Sequence, residues 1–206
     1  MKKIVIIFLL TIILTGCSVV RIDTNSIDNI VNVILTKENK LFNQVGQGYK
    51  YYLPYGVTYI GSDELNDVLY SNGNYYYLYI DAINYYYQAK INFKEDDNLY
   101  YSKEFKIGDG FKHSGYLKIK KIDDMYHITF MYNYAKIETI VEEKDLNDTI
   151  LNASYILSTI KYNYSIVELM LNEDYFTNKT GKYDSYDTNE NSGKFELKKE
   201  NVMEEG

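Results

Sequence analysis

The 206-residue sequence contains no tryptophan, one proline and one cysteine. A lone cysteine excludes an intramolecular disulfide, and with only two histidines the chain offers no zinc ligands at standard spacing. Arg21 is the only arginine, and the formal net charge of −7 argues against nucleic-acid binding. Because the motifs of a phosphate loop and of a serine-hydrolase elbow are also missing, the sequence predicts no catalytic residue, no cofactor and no metal site.

Long apolar runs are scarce, and the clearest one covers residues 4–14, directly after Lys2 and Lys3. It is too short for a transmembrane helix, which needs about 20 apolar residues, but it fits the apolar core of an export signal. The run ends in Leu14-Thr15-Gly16-Cys17, which resembles the lipobox of bacterial lipoproteins. The resemblance implies that the signal, residues 1–16, is cleaved and that the thiol of Cys17 receives a diacylglycerol.

The expected mature chain starts at Cys17, and loss of Lys2 and Lys3 takes its formal charge from −7 to −9. A diacylated cysteine brings two long chains, which is what stable membrane attachment requires. Residues 17–25 form a short tether, of which the eight after Cys17 extend to less than about 30 Å. The domain is therefore expected close to the cell membrane, lipid-anchored on its extracytoplasmic face.

Hydrophobic periodicity predicts a helix from Ser26 to Phe42 and a second from Leu146 to Lys161, with Asp145 as the N-cap of the second. Alternating apolar residues predict strands between and after them, including two hairpins that turn at Asn72-Gly73 and at Asp123-Asp124. The predicted strands cover Tyr49 to Leu53, Val57 to Ile60, Leu65 to Tyr70, Tyr75 to Asp81, Ile83 to Phe93, Tyr116 to Ile122, Met125 to Asn133, Ala135 to Val141 and Tyr164 to Leu171.

This pattern predicts an α+β fold in which an antiparallel β-sheet carries an N-terminal helix and a second helix near the C-terminus, both packed on one face. Residues 26–176 form a single domain in this interpretation. Residues 177–206 are rich in Asp, Asn, Glu, Lys and Ser, and we expect a polar tail in which Lys194 to Lys198 could add an edge strand.

Tyrosine is abundant, with 25 residues, and several lie in clusters on predicted strands. Since successive strand residues point to opposite faces, part of each cluster is expected on the outside. Tyr51, Tyr76 and Tyr86 are our candidates for an exposed binding surface, because tyrosine gives a large contact area at low entropic cost. Codon bias combined with core packing is the competing explanation for these tyrosines.

The leading functional hypothesis is a non-enzymatic binding or accessory protein with a protein or glycan partner at the cell envelope. The alternative is an envelope hydrolase whose carboxylates come together only in the folded chain. His113 and His127 are interpreted as two surface histidines, not as a metal-binding or catalytic pair.

Overall fold

The computed structural model describes residues 23–108, 113–172, 187–188 and 195–196. Its strands are β1 (Gln44–Val45), β2 (Tyr49–Tyr51), β3 (Thr58–Asp63), β4 (Asn66–Ser71), β5 (Asn74–Ile80), β6 (Tyr101–Ile107), β7 (His113–Ile122), β8 (Met125–Tyr132), β9 (Ala135–Glu142), β10 (Lys161–Tyr162), β11 (Asp187–Thr188) and β12 (Phe195–Glu196). Strands β3 to β9 form one antiparallel sheet in the order β3-β4-β5-β9-β8-β7-β6, and a smaller antiparallel sheet has the order β1-β2-β10.

Four α-helices accompany the sheets in the described part of the chain: α1 (Ile27–Leu35), α2 (Ala82–Tyr86), α3 (Leu146–Thr159) and α4 (Tyr164–Asn172). Helix α3 packs against β8 and β9, and α1 packs against α3. The side chain of Asp28 in α1 reaches the edge strand β6, where it accepts hydrogen bonds from Tyr101 and Lys103. The predicted α+β class is confirmed, with α1 and α3 forming a layer over the sheet.

The large sheet has two unlike faces, and β8 shows both. Tyr126, Ile128, Phe130 and Tyr132 are buried towards the helices, whereas the residues between them are only half-buried. Strand β9 alternates in the same way. We call the helix-packed side the covered face and the other side the open face; the core lies between the covered face and α1 with α3.

Both predicted hairpins are present. Asn72 and Gly73 form the β4–β5 turn, each with positive φ, the conformation that this pair of residues favours in a two-residue turn. Asp123 also has positive φ, in the β7–β8 turn. The turns therefore set the register of two hairpins that supply four of the seven strands.

Two predicted helix ends are wrong. The first helix ends at Leu35, not Phe42: the Thr36 N–H still bonds to the Asn32 carbonyl four residues back, but the Lys37 N–H bonds to the Ile34 carbonyl three residues back, so the i to i−4 ladder stops. The second helix ends at Thr159, not at Lys161, which belongs to β10. The second helix begins at Leu146 with Asp145 in the N-cap position, as predicted, but the Asp145 carboxylate makes no capping hydrogen bond and instead accepts from the Asn74 amide.

Two predicted strands are helical instead. Within Ile83 to Phe93, residues 83–86 belong to α2, which begins at Ala82 and which Asp81 caps by accepting the Asn84 N–H. The segment predicted as a final strand, Tyr164 to Leu171, is α4. Its first turn is capped by the Asn163 side chain, which accepts the Ile166 N–H.

The strands predicted on either side of Pro54 do not pair with each other. β2 pairs with β1 and β10, whereas β3 pairs with β4, so the chain changes sheets between Tyr51 and Thr58. In the tail, β11 pairs with β12 in a separate two-stranded sheet, so Phe195–Glu196 does not extend the large sheet.

The predicted signal (residues 1–16), Cys17 and most of the tether and tail lie outside the described residues. Within the described ranges, no helix combines the length and apolar character needed to cross a membrane.

Candidate functional site

Tyr51, one of the three candidate surface tyrosines, lies in the core with 0% of its side chain exposed. Its hydroxyl donates a 2.7 Å hydrogen bond to Asp67 of β4, and its ring stacks on Tyr49. Burial raises the pKa of the Asp67 carboxyl, and the hydrogen bonds from Tyr51 and Tyr49 partly oppose that rise. Tyr51 thus connects the small sheet to the large one and is removed from any binding surface.

Tyr76 is also buried, with 1% exposed, on the covered face of β5. Its hydroxyl donates to Thr149 of α3 at 3.2 Å. Burial raises the pKa of the Tyr76 phenol. The strand's alternation instead turns the neighbouring Tyr75 outwards, with 49% exposed, so Tyr76 is corrected from surface to core.

Tyr86, the third candidate, lies at a surface corner where α2 meets α4. Its ring stacks on Tyr164 at a centroid distance of 5.1 Å and meets Tyr87 edge-on at 5.2 Å. Its hydroxyl donates to Glu168 at 3.2 Å. Tyr87 and Tyr164 are 69% and 50% exposed, so Tyr86 is the central ring of an accessible group of three aromatic side chains.

A groove of about 380 Å³ opens beside this aromatic group, between the small sheet and the N-terminal turn of α4. We call it the corner groove; its walls include Val45, Tyr164 and Ile166, all exposed apolar side chains. Gly48 closes the β1–β2 hairpin beneath it with φ +82°, and a Cβ there would lie 3.3 Å from Val167 and 3.4 Å from Ile166. The close approach of the hairpin to α4 is what creates the groove.

The floor of the corner groove carries two lysines. Lys50 and Lys161 are directly opposite each other in the β2–β10 register, so both point to the same face of the small sheet as Val45. The Lys50 ammonium lies 4.0 Å from the Phe42 ring centroid. In the portion of the chain that the structure describes, neither lysine has a carboxylate within ion-pairing distance.

A second cavity, of about 280 Å³, lies on the open face beneath the segment that follows α2. We call it the open-face cavity. The segment is fixed at two points: the Tyr134 hydroxyl donates to the Ala89 carbonyl at 3.0 Å, and Phe93 stacks on Tyr116 at 5.6 Å. The connection between α2 and β6, residues 87–100, has no regular structure. Connections of this length without helix or strand are uncommon in a compact domain and are often functional.

Three charged side chains line the open-face cavity: Asp81, Lys136 and Lys90, of which Lys90 belongs to the overlying segment. Asp81 is 7% exposed and accepts hydrogen bonds from the backbone and side-chain N–H groups of Asn84. The Lys136 ammonium lies 4.5 Å from the Tyr79 ring centroid and 2.9 Å from Glu138. Burial raises the pKa of the Asp81 carboxyl, while the Asn84 hydrogen bonds and the charge of Lys136 act in the opposite direction.

The two histidines lie near opposite ends of the β7–β8 hairpin and do not meet. His113 contacts the Asn133 side chain, while burial and the charge of Lys120 lower the pKa of His127. No three His, Cys, Asp or Glu side chains in the described ranges are placed to hold a metal ion together. Neither the corner groove nor the open-face cavity is lined by a histidine or by two carboxylates, which the hydrolase alternative would require.

Sequence reasoning missed the corner groove because it depends on α4, and the open-face cavity because it depends on α2; the sequence pattern predicts both segments as strands. The sequence did contain a sign of both helices. Asp81 and Asn163 are residue types that favour the N-cap position, and each directly precedes one of the two helices and caps its first turn. Val167 and Met170, spaced as neighbours on one helix face, are buried while Ile166 and Leu169 are exposed.

Comparison of the whole chain with curated proteins and with solved structures gives no match. Residues 1–18 match the model of the prokaryotic membrane lipoprotein lipid attachment site. The match includes the charged start, the apolar run and Cys17, so the predicted lipobox is confirmed. The chain therefore carries a bacterial lipoprotein signal and is a membrane-anchored lipoprotein, attached through lipid on its cysteine.

Proposed function

We propose that this lipoprotein is a non-enzymatic binding protein of the extracytoplasmic cell envelope, whose corner groove holds an apolar segment of a protein partner that also carries acidic side chains. The observation that carries the proposal is the pairing of exposed apolar walls with Lys50 and Lys161 on the floor. Aromatic residues at the edge of such a groove, here Tyr86, Tyr87 and Tyr164, are typical of protein contact sites.

Charge supports an acidic segment as the occupant. Like charges directly opposite each other on neighbouring strands destabilise a sheet, and Lys50 faces Lys161 in a chain of net charge −7. An acidic side chain between the two ammonium groups would relieve that repulsion. An acidic partner would otherwise be repelled by this protein, so the groove is the favourable place for it to dock.

The anchor supports a partner at the envelope. Asp23, the first described residue, is six positions after Cys17, a stretch that extends to at most about 20 Å. The domain thus stays within a few nanometres of the bilayer to which Cys17 is attached. With both proteins confined to that layer, a modest intrinsic affinity is sufficient for binding.

Site-specific photocrosslinking in intact cells tests the corner groove. A photoreactive residue in place of Tyr164 should give one discrete adduct with a protein, whereas the same residue in place of Tyr55, which is fully exposed elsewhere, should not. Adducts of equal yield at both positions, or no adduct at Tyr164, would contradict the proposal.

Charge reversal then tests the chemistry of the occupant. Lys50→Glu with Lys161→Glu should abolish the Tyr164 adduct, because the floor would then repel an acidic segment. The matched control is Lys120→Glu with Lys121→Glu, the same charge change at exposed positions of β7 near the β7–β8 turn. Loss of the adduct in both double variants would point to net charge and not to the groove.

The anchor has its own test. Cys17→Ala should release the protein from the membrane fraction or leave it unprocessed, because no thiol remains for the lipid. Phase separation in detergent measures this directly: the parent protein should enter the detergent phase, while the processed variant should remain in the aqueous phase. Equal partitioning of the two would refute lipid attachment at Cys17.

A further inference from the structure

The open-face cavity is separate from the corner groove, and the two share no lining residue. We propose that it binds a small zwitterion of the size of a free amino acid, with the ligand ammonium on Asp81 and the ligand carboxylate on Lys136. This inference concerns a small molecule and does not depend on the protein partner proposed above.

The size of the cavity limits its occupant. Its volume of about 280 Å³ lies just below the range of about 300–1,000 Å³ that is usual for drug-sized ligands. The overlying segment is held by Tyr134 on one side and by the Phe93–Tyr116 stack on the other, so the space exists before a ligand arrives. A preformed site of this size suits one small molecule and does not admit a folded partner.

Asp81 is the proposed contact for the ligand ammonium. Its carboxylate accepts hydrogen bonds from neutral N–H groups of Asn84, and the charge of Lys136 acts on it, but within the described ranges no cation lies close enough for an ion pair with it. A carboxylate buried to this degree is costly unless it is paired with a full positive charge. A ligand ammonium in the cavity supplies that charge.

Lys136 is the proposed contact for the ligand carboxylate. Lys136 lies opposite Tyr79 in the β5–β9 register. Asp81 follows Tyr79 by two positions, directly after the end of β5, so Asp81 and Lys136 line neighbouring parts of the same cavity. A lysine ammonium has three donors and can hold Glu138 and a ligand carboxylate together. Met131 and Ile91 provide apolar contact for the rest of the ligand.

Asp81 and Lys136, with Lys90 of the overlying segment as a second cation, favour a ligand that carries both charges. A simple amine would leave Lys136 without a ligand contact, and a simple acid would leave Asp81 without one. A free amino acid carries an ammonium and a carboxylate only a few bonds apart, so one molecule can contact both Asp81 and Lys136. Blocking the ligand ammonium should therefore lower affinity through loss of the contact with Asp81. Blocking the ligand carboxylate should lower affinity through loss of the contact with Lys136.

Calorimetric titration of the full mature lipoprotein in detergent micelles tests this proposal. The probes are the common free amino acids, followed by the N-acetyl and the amide derivatives of the tightest binder. We expect at least one free amino acid to bind, and each derivative to bind about tenfold more weakly, the loss of one charge-assisted contact. Absence of binding by every free amino acid, or equal binding of the amide derivative, would overturn the proposal.

Protein variants test which residue contacts each end of the ligand. Asp81→Asn, which can still cap α2 because asparagine is a good N-cap, should weaken the free amino acid about tenfold but leave the N-acetyl derivative unchanged. Asp124→Asn, in the exposed β7–β8 turn, is the control with the same change of charge. Equal affinity of the Asp81→Asn variant and the parent protein would place the ligand elsewhere.

Removal of Lys136 requires a partner substitution, because Lys136→Met alone would leave Glu138 without its ion pair. Lys136→Met with Glu138→Gln should weaken the free amino acid about tenfold and leave the amide derivative unchanged. Glu138→Gln alone should bind at least as tightly as the parent, since Lys136 is then no longer paired with the Glu138 carboxylate. If the double variant retains full affinity for the free amino acid, Lys136 is not the carboxylate contact.

Discussion

The two faces of the large sheet are built from the same strands but are covered differently. Helices α1 and α3 pack on the covered face and bury its apolar side chains, whereas the open face meets a segment without regular structure between α2 and β6. Regular helices fill space efficiently, so the covered face holds the core. The irregular segment touches the open face through a few anchor points, and a cavity remains between them.

The first way to test this contrast compares two isoleucines of β9 that point to opposite faces. Ile137→Ala, on the covered face, should lower the free energy of unfolding by about 3 kcal/mol, because it leaves a cavity in the core. Ile140→Ala, on the half-buried open face, should cost about 1 kcal/mol or less. Chemical denaturation measures both, and equal losses would show that the faces do not differ as described.

The second test removes the buried hydrogen bond between Tyr51 and Asp67. Tyr51→Phe should lower stability by about 2 kcal/mol, because a buried carboxyl oxygen loses its hydrogen bond. Tyr52→Phe, the half-buried neighbour, is the control and should change stability little. A similar loss in both variants would mean that the Tyr51 hydroxyl contributes nothing specific.

The Asp67 carboxyl also predicts a dependence on pH. Its pKa is raised in the folded protein, mainly by burial, so the folded chain holds a proton that the unfolded chain releases. The free energy of unfolding should therefore fall as pH rises from the ordinary range of an aspartate through the raised pKa. Asp67→Asn should make that slope shallower in denaturation curves measured from pH 3 upwards, whereas Asp124→Asn in the exposed turn should not. The raised pKa of Asp81 contributes with the same sign and should leave a residual slope.

The third test uses two adjacent tyrosines on opposite faces of β5. Tyr76→Phe should cost about 1 kcal/mol because the buried Thr149 hydroxyl loses its partner. Tyr75→Phe, at an exposed position, should be close to neutral. If Tyr75→Phe is the more destabilising variant in thermal unfolding, the assignment of faces along β5 is wrong.

The smallest effect on global stability is expected from Tyr134→Phe, which removes the hydrogen bond to the Ala89 carbonyl. Global stability should fall by less than about 1 kcal/mol, but hydrogen exchange of the amides between Gln88 and Phe93 should become faster. Tyr87→Phe, an exposed neighbour, serves as the control. Unchanged exchange in the Tyr134→Phe variant would show that this bond does not hold the segment in place.

Much of the fold was predictable because it follows local rules. Asn72-Gly73 sets one hairpin, and the alternation of Tyr126, Ile128 and Phe130 with their neighbours is enough to identify the covered face. These features depend on turn chemistry and on the two-residue period of a strand. Neither requires knowledge of distant parts of the chain.

The errors arose where tyrosine-rich segments have strand propensity but fold as helices. In the segment from Tyr85 to Tyr87, side-chain packing decides the outcome: Tyr85 stacks on Tyr162, and Tyr86 stacks on Tyr164, a partner far away in sequence. Propensity for strands largely reflects packing on a sheet surface, so tertiary contacts can override it. The same reasoning explains why Tyr51 and Tyr76 could not be placed inside or outside from the sequence alone.

The contact of Asp28 with Tyr101 and Lys103 has a mechanical consequence for an anchored protein. Any pull between the membrane and the domain travels along the tether into the N-terminus of α1. Asp28 lies in the first turn of that helix and is clamped to strand β6 by bonds of 2.8 Å to the Tyr101 hydroxyl and 2.6 Å to the Lys103 ammonium. Tension on the tether therefore meets two attachments of α1 to the domain, the contact of Asp28 with the edge strand β6 and the packing of α1 on α3.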